Sequence, residues 1–227
     1  MTAQQSSVNC SLRTVCICLV ATVLATALIF ALVDVAAALW MGRDSFQAFR
    51  HGLASRPLYY IGSRLVALAV CVYLAKVRTR QDFLSGFALC PSTPRFLILA
   101  AMLGIWLAFL VQVVTPGGVA RIRFQTYFSL GSIALLIGPF LEEAVMRGFF
   151  YPAFRSAMPL VVSILFVSAI DVLLFHFRTF WIPMALFGVG LVNIAACLLR
   201  EYTKSLWPSI MLHFAYNIPF AVLASMR

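Results

Sequence analysis

Two adjacent glutamates and an arginine lie in one apolar segment of the chain, and side chains of these types at this spacing could take part in hydrolysis. Glu142 and Glu143 are neighbours, Arg147 follows four residues after the second of them, and the whole sequence has only seven acidic residues. A charged side chain at the centre of a bilayer costs roughly 3 kcal/mol unless it is paired or lines a wet cavity, so it indicates a functional site. We therefore take this segment as part of a candidate hydrolytic site inside a membrane.

The two glutamates are predicted to have different roles. Glu143 and Arg147 share one helix face in the order that favours an ion pair, which would stabilise the end of a span. Glu142 is rotated by about 100° and has no cation three or four residues later on the same helix. It must find partners on other spans or hold a proton, and it is a candidate general base or acid.

Three further polar residues lie in apolar surroundings later in the chain: His176, His213 and Asn217. The last two are four residues apart and project from one helix face, where they could donate two hydrogen bonds to one oxyanion. Structural alternatives stay open, because His176 could bond a backbone carbonyl and the other two could form interhelical hydrogen bonds worth about 0.6–2 kcal/mol. The Gly-x-Ser-x-Gly and His-Glu-x-x-His patterns of other hydrolases do not occur.

The composition is that of an integral membrane protein. Of 227 residues, 63% are hydrophobic and 11% are charged, whereas a soluble domain has roughly 45–50% apolar and about 25% charged residues. The net charge of +10 comes from dispersed Lys and Arg residues, which is typical of loops that meet anionic lipid headgroups and argues against a nucleic-acid partner. The six cysteines include no Cys-x-x-Cys pair, so neither a disulfide framework nor a zinc knuckle is indicated.

Hydropathy predicts an all-α fold, a polytopic membrane helix bundle of about seven transmembrane helices. The predicted spans have lengths close to the ~20 residues that cross a bilayer. They are 14–40, 58–76, 96–114, 127–150, 160–177, 181–199 and 208–223. Pro139 is expected to kink the fourth helix three residues before Glu142.

The polar residues form short motifs whose order resembles that of the CAAX protease and bacteriocin-processing family, also called the CPBP or Abi family. The family motif Glu-Glu-x-x-x-Arg is similar to residues 142–147, and His-x-x-x-Asn is similar to residues 213–217. The motif Phe-x-x-x-His is matched in part, since His176 is present but Val172 stands in place of the phenylalanine. The resemblance covers about residues 130–221.

The resemblance implies a division of the chain and of its polar residues. Residues 1–125, with three spans, would be the variable N-terminal part, and residues 126–227, with four spans, the catalytic core. The implied catalytic residues are Glu142, His176, His213 and Asn217, and the implied supporting residues are Glu143 and Arg147. In the first set, the glutamate would activate water with the aid of the first histidine, and the last two residues would stabilise the oxyanion. The implied function is that of an intramembrane endopeptidase of the glutamate type.

We expect no cofactor and no metal site, because Asn217 is a poor zinc ligand and a good hydrogen-bond donor. Zinc bound by two histidines and a carboxylate is the alternative. The expected partners are the lipid bilayer and a membrane-embedded or lipid-anchored peptide or protein substrate, in a bacterial cell membrane. Two other functions stay open: a catalytically silent scaffold or immunity protein of the same fold, and a small proton-coupled transporter.

Overall fold

The computed structural model describes residues 12–42, 44–47, 55–79, 88–114, 131–176 and 183–225. In chain order its main elements are α1 (Leu12–Met41), α2 (Ser55–Thr79), α3 (Pro94–Val114), α4 (Gly131–Glu143), a π-helix (Ala144–Phe150), α5 (Tyr151–Ala157), α6 (Leu160–Phe175), α7 (Pro183–Thr203) and α8 (Trp207–Ser225). No strand occurs within these ranges, and the predicted all-α class is confirmed.

Apolar helices of membrane-spanning length confirm an integral membrane bundle. By length and composition, Val15–Met41, Pro94–Val114 and Leu186–Thr203 can cross a bilayer, and Tyr59–Leu74 and Leu160–Phe175 are shorter apolar helices. These five helices coincide with five of the seven predicted spans. The other two predicted spans correspond to α4 with the elements that follow it and to α8, which carry most of the candidate site. Residues 177, 181 and 182, predicted to end or begin spans, lie outside the described ranges.

The fourth predicted span differs from the single kinked α-helix that the sequence predicts. The structure has α4, then a seven-residue π-helix, then α5, which runs on to Ala157. Pro139 lies inside α4, and residues 127–130 lie outside the described part. In the π-helix the backbone N–H of Tyr151 bonds to the carbonyl of Met146, five residues back. Such wide turns are rare and frequent at functional sites, and hydrophobic periodicity alone does not predict them.

The π-helix lies at the centre of the bundle. All seven of its residues are buried, and it contacts α2, α6 and α7 as well as its chain neighbours. Phe149 and Phe150 are fully buried in the core and meet edge to face, with ring centroids 5.4 Å apart. This packing anchors the π-helix, so the charged residues at its start are held inside protein rather than in lipid.

Helices α3 and α8 approach each other closely at a glycine. A Cβ on Gly104 would lie 2.3 Å from the carbonyl oxygen of Leu212 and 2.9 Å from the backbone nitrogen of Tyr216. A residue without a side chain is therefore required for the two backbones to come together. The contact holds α8, and with it His213, against a helix from the N-terminal half of the chain.

Candidate active site

The two glutamates lie at the junction of α4 and the π-helix. Glu142 and Glu143 are both 0% exposed, and Arg147 in the π-helix is 1% exposed. A buried charge is strongly destabilising without a partner, so the contacts of these side chains determine what the site can do.

Glu143 is held by two groups. Its Oε1 atom lies 3.2 Å from Nη1 of Arg147, so the predicted i,i+4 ion pair is present. The same oxygen lies 2.9 Å from Nδ1 of His213. Because an ionised carboxylate only accepts hydrogen bonds, Nδ1 of His213 is the protonated nitrogen and its N–H donates a hydrogen bond to this oxygen. The sequence predicts the first of these contacts and not the second.

Glu142 divides its two oxygens between different partners. Its Oε2 atom lies 3.3 Å from Nε2 of His176 and 3.7 Å from Nε2 of His213. Its Oε1 atom accepts a hydrogen bond of 3.0 Å from the hydroxyl of Tyr60 and forms a buried ion pair with Arg64. The partners that the sequence required from other spans therefore come from α2, α6 and α8.

Tyr60 and Arg64 are two site residues that sequence reasoning missed. They lie about 80 residues before Glu142, and no local spacing connects them to it. One signal was present, because Arg64 is the single charged residue between Leu58 and Ala75. An ionisable residue in the middle of an apolar span indicates a functional contact.

His176 follows directly after α6, and its position there brings Asp171 into the site. Its φ of −120° and ψ of 16° are not helical, so the helical spacing rule does not apply between these two residues. Nε2 of His176 lies 3.8 Å from Oδ2 of Asp171. Asp171 therefore lies beside His176, although the two residues are five positions apart in the sequence.

Asn193 on α7 connects the two halves of the polar cluster. Its Nδ2 group donates a hydrogen bond of 2.8 Å to Oδ2 of Asp171, and its Oδ1 atom accepts one from Arg147. Together with the contacts above, this closes a ring of polar side chains, in which His176 is 16% exposed and the others are buried. In order around the ring they are Glu142, His176, Asp171, Asn193, Arg147, Glu143 and His213.

A small cavity of about 50 Å³ adjoins this ring. Its wall includes His176, His213 and Asn217, three of the four predicted catalytic residues, together with Asp171. Glu142 does not line the cavity, but it contacts both histidines that do. A polar cavity needs roughly 10–15 Å³ to hold a water molecule, so there is room here for the water of a hydrolytic reaction.

A comparison with protein-family models identifies the family of residues 124–219. Residues 124–219 match the family model described as type II CAAX prenyl endopeptidase Rce1-like. The segment belongs to the CAAX protease and bacteriocin-processing family. Searches of curated proteins and of solved structures found no match. The CAAX protease segment contains every predicted site residue, whereas Tyr60 and Arg64 lie before its first residue.

One group of side chains in the CAAX protease segment has a spacing that could suit a metal ion. Among the described residues, one ligand atom each from Glu142, Asp171 and His176 lie within 4.8 Å of one another. This set differs from the two histidines and a carboxylate considered above. The guanidinium of Arg64 forms an ion pair with Glu142 and so offsets one of the two carboxylate charges in this group.

Proposed function

We propose that this CAAX protease family member is an intramembrane endopeptidase that cleaves a membrane-associated protein or peptide with glutamate-activated water. The observation that carries the proposal is the position of Oε2 of Glu142. It faces the Nε2 atoms of two histidines at 3.3 and 3.7 Å, and those histidines line a cavity with room for water. A carboxylate next to an imidazole that lines a cavity with room for water can accept a proton from that water through the imidazole.

In the proposed reaction, Glu142 and His176 act on the water as a pair. The water oxygen forms a bond to the scissile carbonyl carbon, while its proton passes to this pair. The tetrahedral intermediate collapses when the C–N bond breaks and the proton is transferred to the leaving amine. The products are a new carboxyl end and a new amino end. Asp171, 3.8 Å from Nε2 of His176, would help to orient the imidazole.

His213 and Asn217 are proposed to stabilise the oxyanion. They lie four residues apart on α8, and both line the cavity. Since Nδ1 of His213 already donates to Glu143, its Nε2 can donate to an oxyanion only in the imidazolium form. The amide of Asn217 supplies the second donor. Glu143 and Arg147 would hold the histidine in place rather than contact the substrate.

The proposed substrate is embedded in or anchored to the bilayer. The support is the location of the site, since it is built from buried residues of helices in a membrane bundle and adjoins a small cavity. The matching family model is named for CAAX prenyl tails, so a prenylated peptide is the first probe to use. The expected location in a bacterial cell membrane stays a prediction. No metal takes part in the proposed steps.

The test uses purified protein in liposomes and a quenched fluorescent peptide that ends in a farnesylated CAAX sequence. We expect cleavage of the lipid-anchored peptide and much slower cleavage of the same peptide without the lipid. No cleavage of this probe or of a panel of single-span membrane peptides would reject the endopeptidase proposal. Proton-linked uptake into the same liposomes would then identify a transporter, and the absence of both activities would indicate a silent scaffold.

A further inference from the structure

We propose that Arg64 and Tyr60 of α2 form a clamp that positions Glu142 for catalysis, although both lie before the segment that matches the family model. The inference rests on the proposed function and extends the active site into the part of the chain that the sequence analysis assigned as variable. We call these two residues the α2 clamp. They are positioning residues, because they act through Glu142 and neither of them lines the cavity.

The guanidinium of Arg64 is fixed on several sides. The side chain is 2% exposed, and both its Nε and its Nη2 atoms contact Oε1 of Glu142. Its Nη1 atom donates a hydrogen bond of 2.8 Å to the backbone carbonyl of Tyr60. The charged carbon lies 3.4 Å from the ring centroid of Tyr60 and 4.8 Å from that of Phe175. A planar cation that contacts two aromatic rings and is hydrogen-bonded to both a carboxylate and a backbone carbonyl has little freedom to move.

The second member of the α2 clamp reaches Glu142 because of a glycine. A Cβ on Gly138 would lie 2.7 Å from the hydroxyl oxygen of Tyr60. Gly138 is four residues before Glu142 on α4, so the missing side chain opens the space through which the phenol reaches the carboxylate. The hydroxyl then donates its hydrogen bond of 3.0 Å to Oε1. The small residue at Gly138 on α4 thus makes room for the large side chain of Tyr60 on α2.

As a consequence, the two oxygens of the Glu142 carboxylate have different partners and different proposed roles. The α2 clamp occupies Oε1 with a hydroxyl and a guanidinium, and it fixes the plane of the carboxylate. Oε2 is thereby directed toward the Nε2 atoms of His176 and His213. A base held in one orientation reacts faster than a mobile one, because misplacement by about 1 Å can cost roughly 100-fold in rate.

Phe175 links the α2 clamp to the neighbouring histidine. It is the last residue of α6, its ring lies against Arg64, and His176 follows it directly. The arginine therefore contacts both the carboxylate and the segment that carries His176. Loss of the guanidinium is expected to disturb the two members of the proposed base together.

The kinetic test compares Arg64→Lys, Arg64→Met and Tyr60→Phe with the wild type on the farnesylated peptide, with rates expressed per folded molecule. We expect kcat to fall about 100-fold for Arg64→Met and about tenfold for Tyr60→Phe, with KM unchanged within about twofold, as expected for lost transition-state positioning. Arg64→Lys should recover part of the loss, since it keeps the charge but not the planar geometry. Arg155→Met is the control, because its ion pair with Glu201 is 39% and 26% exposed and neither residue lines the cavity.

Two kinetic results would overturn the proposal. One is a rise in KM with unchanged kcat, which would place the α2 clamp in substrate binding. The other is a kcat equal to that of the wild type in both Tyr60→Phe and Arg64→Lys. These two variants keep the proposal testable if Arg64→Met does not fold. A purely structural role predicts fewer folded molecules with normal kcat in each.

A second measurement, infrared spectroscopy of the Glu142 carboxylate, needs no substrate. It can therefore test the α2 clamp even if the protein proves not to be an endopeptidase. Infrared difference spectra, wild type minus Glu142→Gln, isolate the carboxylate bands of Glu142. These bands should shift in Tyr60→Phe and in Arg64→Lys and stay in place in Arg155→Met. A shift in an inactive protein would support the α2 clamp while the endopeptidase proposal fails. Unchanged bands in both clamp variants would reject the α2 clamp.

Discussion

The ion pair between Glu143 and Arg147 gives the clearest prediction about stability. Arg147 is 1% exposed and Glu143 is 0% exposed. Replacement of Arg147 by methionine keeps a side chain of similar length without the charge, and it leaves the Glu143 carboxylate with the hydrogen bond from His213. It also removes the hydrogen bonds from Arg147 to Asn193.

The magnitude follows from the burial of both partners. Breaking a buried ion pair by removing one member costs about 3–5 kcal/mol. The lost bonds to Asn193 belong to the same network and are not simply additive, so we expect about 4 kcal/mol in total. For a protein of 150–250 residues each kcal/mol lowers Tm by about 2–4 °C, so Tm should fall by about 8–16 °C.

The assay is thermal unfolding of purified variants in detergent, with a double-mutant cycle. Arg147→Met/Glu143→Gln removes both charges and should recover at least half of the loss, because no buried carboxylate is left without its cation. Arg155→Met, which breaks a partly exposed pair with Glu201, should cost no more than about 1 kcal/mol. The reasoning is refuted if Arg147→Met unfolds within about 2 °C of the wild type, or if the double variant is as unstable as the single one.

Three further predictions follow from the site and the fold. Asn217→Ala should lower kcat by about 100-fold or more with little change in Tm, because removal of one oxyanion donor typically costs that much in rate. A kcat within about twofold of the wild type would exclude Asn217 as an oxyanion donor. Active protein should contain far less than one zinc ion per chain and should keep its activity with a zinc-specific chelator. The reason is that the positive charge of Arg64 at Glu142 repels a divalent cation. Stoichiometric zinc would support the metalloprotease alternative. Gly104→Ala should destabilise the bundle, because the new Cβ would lie 2.3 Å from the carbonyl oxygen of Leu212, whereas Gly190→Ala, with no atom within 4 Å of its Cβ, is the matched control.

Short-range spacing made part of the site predictable. The four-residue interval between Glu143 and Arg147 predicted their ion pair, and the structure has it at 3.2 Å. The same interval predicted that His213 and Asn217 lie on one face, and both line the same cavity. The apolar composition predicted the membrane bundle. In each case the information lies within one helix, where periodicity fixes the geometry.

Contacts between distant segments were not predictable in this way. The pairing of Arg64 with Glu142 joins residues 78 positions apart, and only the charge of Arg64 within an apolar run indicated that it had a partner. The contact of His213 with Glu143 joins residues 70 positions apart. The contact of Asp171 with His176 could not be read from helical spacing, because His176 lies beyond the helix end. The π-helix has no signature in hydrophobic spacing.

The central claim is that Glu142 activates the water, and its most direct measurement is the turnover of Glu142→Gln. Since this change strands Arg64, it should be measured together with Glu142→Gln/Arg64→Met, which removes both charges and should unfold at a higher temperature than the single variant. The account predicts that both variants cleave the farnesylated peptide at least about 1000-fold more slowly than the wild type. The control Glu201→Gln, whose side chain does not line the cavity, should cleave it normally. A folded Glu142→Gln variant with turnover near that of the wild type would contradict the account.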